Sequence, residues 1–419
     1  MTHVCIIGLG YVGLPTAAMF SLTGHHVTGV DSDAKRIDAL KSGLIPFSEP
    51  DLDAVVRDAM RSGNLAIESR AVPADVFVIC VPATVMNRIA DLANIEEAAR
   101  AIATVLRPGN MVIVESTVPP GTTVNIVRPI LETSGLRVGE NFYLAYCPER
   151  VMPTNILSEI EGNNRVIGGV DGESGKRAGE LYGSFVRGTI SFTDCTTAEF
   201  GKLIENAFRD VNIAFANECA LIAEEFGVDV REAIELANRH PRVNILRPGP
   251  GVGGHCLPTD PWFLVDTSGT STLIPAARAV NDFMPGHVAD MVLESVERVE
   301  KPKIAVWGLA YKGNTGDVRG SPAIKVMSEL RKRGAIVGAY DPHVGDPQLD
   351  LASMAESVDM ADCILVLNDH RRFKNTQPSE VAKALRRRLL IDTVNCMNHQ
   401  QWRDSGFRVR VLGDGRHRD

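Results

Sequence analysis

The chain opens with the pattern of a strand, a glycine-rich turn, a helix and a second strand. Residues 4–7 (VCII) form a short apolar run, and residues 8–13 (GLGYVG) follow it directly. A helical pattern comes next, and residues 26–30 (HVTGV) then form a second strand pattern that ends at Asp31. An acidic residue about 20 positions after such glycines is typical of a βαβ unit that binds a dinucleotide. An ordinary βα turn is the alternative.

The acidic residue also indicates which dinucleotide binds. Glycines allow a tight turn and a close approach of the backbone to a pyrophosphate. A carboxylate at Asp31 would accept from a ribose hydroxyl and repel a 2′-phosphate, which favours NAD over NADP. Lys35 and Arg36 lie near Asp31 in the sequence, so NADP is the alternative.

A second copy of this pattern begins near residue 303. Residues 303–308 (KIAVWG) resemble the first strand with its glycine, and residues 335–340 lead to Asp341 as the earlier strand leads to Asp31. Two later apolar runs match in the same order, 361–367 with 74–80 and 390–393 with 113–116. The repeat predicts an α/β fold with two Rossmann-like, doubly wound parallel sheets.

The segment between the two copies is predicted to be helical. Residues 196–227 begin with Thr196 and Glu199, the pattern of a capping box, and end at a glycine. Together these patterns predict three domains: an NAD-binding domain at 1–195, a helical central domain at 196–300 and a second Rossmann-like domain at 301–419.

Three polar residues share one face of this predicted helix. Lys202, Asn206 and Arg209 follow one another at spacings of four and three residues. A solvated stripe is the alternative, and for lysine and arginine alone it is the usual one. An asparagine between them favours a functional face.

A cysteine stands in the glycine-rich loop 248–261 (PGPGVGGHCLPTDP). Asp260 and Pro261 have the pattern of a helix N-cap and first helical residue, which places Cys256 near the positive end of a helix dipole. That environment favours the thiolate. An inert cysteine in a tight turn is the alternative.

Composition excludes several classes of protein. The net charge of −8 argues against a nucleic-acid-binding surface, so local Lys and Arg must meet an anionic substrate. The chain has no signal-peptide pattern and no apolar run of membrane-spanning length, which predicts a cytoplasmic protein without a membrane partner. Eight cysteines without a CxxC pair predict reduced thiols, and no metal site is expected.

Six motifs are spread along the chain: GLGYVGLP at 8–15, EST at 115–117, CPERV at 147–151, KLIENAFRDVNIAFANE at 202–218, HPRVN at 240–244 and PGPGVGGHC at 248–256. Together they resemble the UDP-glucose/GDP-mannose dehydrogenase family over essentially the whole length. Residues 209–212 (RDVN) and 240–244 resemble its 2-acetamido-hexose branch. The resemblance implies a nucleotide-sugar 6-dehydrogenase that oxidises UDP-N-acetylmannosamine for surface polysaccharide synthesis. UDP-N-acetylglucosamine and UDP- or TDP-glucose are the alternative substrates.

The resemblance also implies a reaction. A C6 alcohol would be oxidised to a carboxylate with two NAD, and Cys256 would hold the intermediate first as a thiohemiacetal and then as a thioester. Lys202 and Asn206 would stabilise oxyanions. Asp260 would order a water near the lysine. By the same resemblance, Glu149 would activate this water and Thr117 would position it.

The binding positions are carried over from the same motifs. For the cofactor they are Gly8, Gly10, Tyr11, Val12, Gly13, Asp31, Arg36, Thr117 and Arg319. For the UDP-sugar they are Glu149, Arg150, Lys202, Asn206, Arg209, Arg242, Gly253 and Lys312. Lys312 would contact phosphate, and Arg242 would reach the substrate of a neighbouring subunit. A homodimer is expected, formed through the helical patterns at 196–227 and 276–299.

Two other classes of function remain as alternatives. A two-electron hydroxyacid dehydrogenase needs neither Cys256 nor a second nucleotide domain. A non-catalytic sugar-nucleotide-binding protein should lack at least one of four residues that are all present, Lys202, Asn206, Cys256 and Asp260. The chain departs from its relatives at residues 82–84, which read PAT where PTP is common, and at Gly320, where an acidic or amide residue is common.

Overall fold

The computed structural model describes residues 1–45, 49, 51–151 and 155–417. They form two compact units, one of Met1–Glu205 with Trp262–Gly269 and one of Asn206–Pro261 with Thr270–Asp419. Most of the predicted middle segment, 196–300, therefore belongs to the second unit. The division into three domains stays a prediction.

An eight-stranded sheet forms the centre of the first unit. The strands of this unit are β1 His3–Ile7, β2 His26–Val30, β3 Leu65–Glu68, β4 Val76–Ile79, β5 Thr84–Met86, β6 Ile89–Asp91, β7 Met111–Val114, β8 Tyr143–Tyr146, β9 Arg165–Gly169 and β10 Ile190–Asp194. The sheet order is β10-β9-β8-β7-β4-β1-β2-β3, and β5 and β6 form a separate hairpin. The order reverses between β1 and β4, so the glycine turn after β1 lies where such sheets bind ligands.

The parallel pairing of this sheet ends at β8. β9 pairs antiparallel with β8, and β10 runs parallel to β9. The sequence predicts a wholly parallel sheet, because apolar patterns carry no sign of strand direction. The difference lies at one edge and leaves the pairing around β1 as predicted.

Helices cover the sheet of the first unit: α1 Gly13–Leu22, α2 Ala34–Lys41, α3 Leu52–Arg61, α4 Ala93–Ala103, α5 Arg128–Glu132, α6 Ile156–Gly162 and α7 Gly172–Tyr182. A π-helical turn, Thr123–Val127, precedes α5. Phe20 of α1 packs against the rings of Tyr182 and Phe185, at centroid distances of 5.4 and 4.9 Å. Buried aromatic contacts of this kind bind the helices to one core.

The second unit contains a five-stranded parallel sheet in the order β12-β11-β13-β14-β15, with β11 Lys303–Trp307, β12 Ile336–Tyr340, β13 Cys363–Val366, β14 Leu389–Asp392 and β15 Arg408–Val411. The helices from α8 onward are α8 Cys195–Phe226, α9 Val230–Ala237, α10 Asp260–Asp266, α11 Leu273–Ser295, α12 Pro322–Lys332, α13 Met354–Val358, α14 Arg371–Lys374, α15 Pro378–Val381 and α16 His399–Asp404. The order reverses between β11 and β13, beside the second glycine turn.

The long helix α8 has the predicted extent but a different N-terminal cap. The carboxylate of Asp194 accepts from the amide and the hydroxyl of Thr197, at 2.9 and 2.6 Å. The predicted capping box of Thr196 and Glu199 is therefore wrong. Glu199 is fully buried and accepts from backbone amides of a distant loop instead.

These observations confirm the predicted fold class, an α/β chain with two Rossmann-like sheets and a helical segment between them in sequence. Within the described ranges, none of the helices combines the length and apolarity that crossing a bilayer takes.

Candidate active site

Asp31 holds the first glycine turn. Its carboxylate accepts from the amides of Leu9 and Asp33, at 2.8 and 2.9 Å, and from the guanidinium of Arg36 at 2.8 Å. Burial raises the pKa of Asp31, but these three hydrogen bonds outweigh burial and leave the pKa below its usual value. Asp31 is therefore an ionised acceptor at the end of β2, as the sequence predicts for a ribose ligand.

The glycines of this turn fit a bound pyrophosphate. A Cβ at Gly13 would lie 1.8 Å from the carbonyl oxygen of Gly8, so the close approach of α1 to β1 requires glycine there. Among the residues that the structure describes, none comes within 4 Å of the position that a Cβ at Gly10 would take. Packing does not explain Gly10, and open backbone at this position is what a pyrophosphate needs. Tyr11 and Val12, both half-buried, complete the turn.

A buried cluster of charges surrounds Glu149, the residue predicted to activate water. The guanidinium of Arg165 donates to Glu149 at 2.8 Å and to Glu115 at 3.0 Å. The backbone amide of Arg150 donates to the other oxygen of Glu149 at 2.6 Å. Glu149 is 9% exposed, Arg165 3% and Glu115 1%. Three ionisable groups thus share one desolvated site, in which one guanidinium donates to two carboxyl groups.

Burial also changes the protonation of this cluster. It raises the pKa of Glu115 to about 7, which the nearby charge of Arg165 only partly opposes. The thiol of Cys80 donates to Glu115 at 3.2 Å, and burial holds the pKa of that thiol well above its usual value. Sequence reasoning gave no role to Arg165 or Glu115. The available signal was a charged residue at the end of an otherwise apolar strand pattern.

Other predicted residues of the first unit lie along two segments. Thr117 is half-buried, two positions after Glu115. The segment that follows it is fixed by Glu199, which accepts from the amides of Gly121 and Thr123 at 2.5 and 2.8 Å. Burial raises the pKa of Glu199 to about 7.

Arg150 and Lys202, both predicted to bind the UDP-sugar, lie on different segments of the first unit. The guanidinium of Arg150 forms an ion pair with Glu205 of α8, with Nε 3.1 Å from a carboxylate oxygen, and also donates to the carbonyl of Asn164 at 3.3 Å. Lys202 is half-buried one turn earlier on α8.

The stretch after Pro82 folds into the hairpin of β5 and β6. The guanidinium of Arg88 lies over the ring of Trp262, 4.7 Å from its centroid, and the amide of Ala90 donates to Asp266 at 3.0 Å. The short segment at 82–91 is therefore an ordered element that contacts α10, the helix that follows the cysteine loop.

In the second unit, the loop that carries Cys256 packs tightly against the second glycine turn. A Cβ at Gly253 would lie 2.8 Å from the Cβ of Tyr311. The amide of Gly254 donates to the carbonyl of Arg319 at 3.1 Å. Gly320 has a φ of +61°, and a Cβ there would lie 2.9 Å from the carbonyl oxygen of Gly254. The unusual glycine at 320 thus allows the two loops to meet.

Cys256 differs from the other cysteines in its exposure. It is exposed, whereas the other seven are buried or half-buried. Burial raises the pKa of each of those seven thiols, which keeps them protonated and unreactive. None of the eight, all of which lie in the described ranges, forms a disulfide.

Asn206 and Asp260 lie together beside this loop. The amide of Asn206 donates to the carboxylate of Asp260 at 2.6 Å, and both side chains are buried. The backbone amide of Asp260 in turn donates to the carbonyl of Cys256 at 2.8 Å. α10 begins at Asp260, one residue earlier than predicted. Three of the predicted catalytic residues are therefore joined by hydrogen bonds.

Two further asparagines of α8, which sequence reasoning missed, hold neighbouring loops. Asn212 accepts from the amide of Leu246 at 2.9 Å. Asn217 is fully buried and accepts from the amide of Gly249, at the start of the cysteine loop, at 2.8 Å. It also donates to Asn281 of α11 at 2.9 Å. The signal was their position in the same motif as Asn206.

The predicted cationic residues of the second unit differ in their surroundings. Arg209 and Arg242 are exposed, and Lys312 is half-buried in the second glycine turn. Arg319 is exposed and forms an ion pair with Asp317 at 2.6 Å. Among the described residues, no group of His, Cys, Asp and Glu side chains is placed to hold a metal ion.

Comparison with known protein families matches all three parts of the chain. Residues 2–186 match the NAD binding domain of the UDP-glucose/GDP-mannose dehydrogenase family, residues 196–283 its central domain and residues 305–399 its UDP binding domain. The chain belongs to this family. The resemblance read from the six motifs is confirmed, and the enzyme is an NAD-dependent nucleotide-sugar dehydrogenase.

Relatives within the family cover nearly the whole chain. UDP-N-acetyl-D-mannosamine dehydrogenase of Methanocaldococcus jannaschii is 45% identical, over 99% of this chain and 97% of its own. The solved UDP-N-acetyl-D-mannosamine dehydrogenase of Pyrococcus horikoshii has a TM-score of 0.94 and 42% identity, over 99% of this chain and 100% of its own. NDP-N-acetyl-D-galactosaminuronic acid dehydrogenase of Ralstonia nicotianae is 43% identical, over 93% of this chain and 95% of its own.

Proposed function

We propose that this enzyme oxidises the C6 alcohol of UDP-N-acetylmannosamine to a carboxylate and reduces two NAD per sugar. Support for the sugar comes from the relatives at 42–45% identity that are named for this substrate, and from the motifs at 209–212 and 240–244. The relatives named for an N-acetylgalactosaminuronic product also belong to the acetamido class. The product would be a building block for surface polysaccharide synthesis in the cytoplasm.

One observation carries the proposed chemistry. Cys256 is exposed at the end of a glycine-rich segment. Its backbone carbonyl accepts a hydrogen bond from the amide of Asp260, and the carboxylate of Asp260 accepts one from the side chain of Asn206. The backbone of the nucleophile, a carboxylate and an amide donor are therefore joined by hydrogen bonds. Covalent capture of an aldehyde needs such a nucleophile, whereas a two-electron dehydrogenase has no use for one.

The steps follow from that arrangement. When bound, NAD would supply the hydride acceptor for C6 in each of two rounds of oxidation. Cys256 adds its sulfur to the aldehyde carbon formed in the first round, and the resulting thiohemiacetal loses its own C6 hydride to become a thioester. Water then cleaves the carbon–sulfur bond, which releases the carboxylate and restores the thiol. Asn206 and Lys202 are assigned the stabilisation of the oxyanions, for which such donors typically contribute about 3 kcal/mol each.

Hydrolysis of the thioester needs an activated water. Glu149 is assigned this role, with Thr117 positioning the water and Asp260 ordering it near Lys202. The buried hydrogen bond from Arg165 supports the assignment, because it fixes the Glu149 carboxylate in one orientation. A general base must be held in place before its pKa matters.

The two nucleotides are assigned to the two glycine turns. Gly8, Gly10, Tyr11, Val12 and Gly13, with Asp31 and Arg36, would hold NAD, and Arg319 would lie near its nicotinamide end. Lys312 and Gly253, with Arg150 and Arg209, would hold the UDP-sugar.

A homodimer formed through α8 belongs to the same proposal. Phe208, Phe215, Ile222 and Phe226 follow one another at seven, seven and four residues, so they share a face of this helix. They are 63%, 51%, 48% and 77% exposed. A row of exposed large apolar side chains marks an interaction surface, and a second copy of the same row would cover it. Arg242, which is exposed, is assigned the contact with a second copy's substrate.

Light scattering tests the dimer. The wild type should have twice the mass of the chain at micromolar concentration, and Phe215→Asp should dissociate it. A fully active wild-type monomer would contradict both the dimer and the cross-subunit role of Arg242.

Initial rates with different sugars test the substrate. UDP-N-acetylmannosamine should give a higher kcat/KM than UDP-N-acetylglucosamine, and both should exceed UDP-glucose and TDP-glucose. The highest kcat/KM on a sugar without the acetamido group would refute the substrate and leave the chemistry standing. Cys256→Ser should bind UDP and NAD as the wild type does and form no acid at steady state.

A further inference from the structure

Each glycine turn is held by its own aspartate, which follows the neighbouring strand and which we call the clamp of that turn. In the first unit, Asp31 accepts from three protein donors, the last of them Arg36, whose side chain is 35% exposed. In the second unit, Asp341 accepts from five: the amides of Leu309, Ala310, His343 and Val344, at 2.7, 3.1, 2.8 and 3.2 Å, and the ring of His370 at 2.9 Å. The two clamps therefore differ in the number of protein donors that occupy the carboxylate, three at Asp31 and five at Asp341.

This difference decides which ligand each aspartate can meet. A carboxylate offers about four acceptor sites. Asp341 is 6% exposed and surrounded by five protein donors, so it has no capacity left for ribose hydroxyls. Asp31 accepts from only three protein donors, one of them the half-buried Arg36, and so keeps an acceptor site for a ribose hydroxyl. The second turn thus lacks the ribose contact by which a dinucleotide is recognised.

His370 is the residue that makes the second clamp different. It is fully buried just after β13, at the point where the strand order reverses. Its Nδ1 accepts from the amide of Asn314 at 2.7 Å, so the proton lies on Nε2, which donates to Asp341. The carboxamide of Asn368 packs against the same Nε2 and donates to the carbonyl of Ala310 at 2.9 Å.

His370 therefore holds both ends of the second glycine turn. Through Asp341 it fixes Leu309 and Ala310, and directly it fixes Asn314. Lys312, which is assigned to a substrate phosphate, lies between these points. A single imidazole, with one nitrogen accepting and the other donating, sets the shape of the segment that carries this lysine.

We propose that His370 is a positioning residue for the UDP half of the substrate, and that its pair with Asp341 excludes NAD from the second glycine turn. The proposal rests on the proposed function, in which this turn binds a UDP-sugar. His370 touches neither nucleotide; it acts through the backbone of residues 309–314.

Two variants of His370 test the positioning role. His370→Leu removes both hydrogen bonds, and we expect it to raise the Kd for UDP and the KM for the UDP-sugar about tenfold, while the KM for NAD stays within about twofold. His370→Gln retains a polar end and should recover part of the loss. Arg36→Leu is the matched control in the other clamp, and it should raise the KM for NAD and leave UDP binding intact.

Calorimetry with UDP and with NAD separates the outcomes. An unchanged UDP affinity in His370→Leu overturns the positioning role. If that variant fails to fold, an unchanged UDP affinity in His370→Gln does so instead. Two molecules of NAD bound per wild-type chain overturn the exclusion. A wild type that does not bind UDP refutes the proposed function instead, so the two failures are distinguishable.

Discussion

The guanidinium of Arg165 donates to the carboxylate of Glu149 at 2.8 Å, and neither side chain is more than 9% exposed. The same guanidinium also donates to Glu115. A buried cation between two carboxylates cannot be removed without leaving charge unpaired. The orientation of Glu149 therefore depends on a residue 16 positions away in sequence, at the start of β9.

Replacement of Arg165 should affect rate more than binding. Arg165→Lys keeps the charge but cannot reach both carboxylates as a guanidinium does. We expect kcat to fall at least about tenfold, with the KM for NAD within about twofold. Arg165→Met should also lower the free energy of unfolding, by about 3–5 kcal/mol. A lysine variant with wild-type kcat would show that Glu149 needs no such support.

Glu115 should exchange a proton near neutral pH. Its pKa is about 7 because burial disfavours the carboxylate, so it is protonated below that pH and ionised above it. Infrared difference spectra between about pH 5.5 and pH 8.5 should show a protonated carboxyl band lost in the wild type and weakened in Glu115→Gln. Identical spectra for the two proteins would assign the band elsewhere.

Glu199 should make stability depend on pH. Burial raises its pKa to about 7 from an unfolded value near 4.5, so its contribution is fully present below about pH 4.5 and is lost as pH rises through about 7. The melting temperature of the wild type, relative to Glu199→Gln, should therefore fall across this window. The underlying change is at most about 1.4 kcal/mol per pH unit. A constant difference between the two proteins would contradict the buried carboxylate.

Asn217 should control the reactivity of Cys256. Asn217→Ala leaves the amide of Gly249 without its acceptor and frees the start of the cysteine loop. We expect kcat to fall about tenfold and alkylation of Cys256 by iodoacetamide to become at least about threefold faster. Asn212→Ala, which releases Leu246 instead, is the matched control and should leave the alkylation rate unchanged.

Local patterns in the sequence predict much of this fold. The glycine turns, Asp31 and Asp341, the long helix α8 and the two sheets all follow from strand and helix periodicity repeated along the chain. These features depend on residues close together in sequence, so the pattern contains the information. The hydrogen bond between Asn206 and Asp260 is consistent with the site implied by the family motifs.

What the sequence did not predict depends on contacts between distant segments. Three features join residues that only the folded chain brings together: the antiparallel pairing of β9 with β8, the hydrogen bonds that Glu199 accepts from the amides of Gly121 and Thr123, and the contacts of Arg165 with two carboxyl groups. Glu199 is an example in which the local pattern was misleading. Its spacing from Thr196 fits a capping box, but its carboxylate accepts from the backbone amides of a distant loop.

The central claim is that one cysteine carries the sugar through two oxidations. The most direct measurement is the amount of NADH formed per UDP-N-acetylmannosamine consumed, with the sugar limiting and NAD in excess. The account predicts two NADH and one uronate per sugar. One NADH per sugar, with an aldehyde as the product, would contradict it.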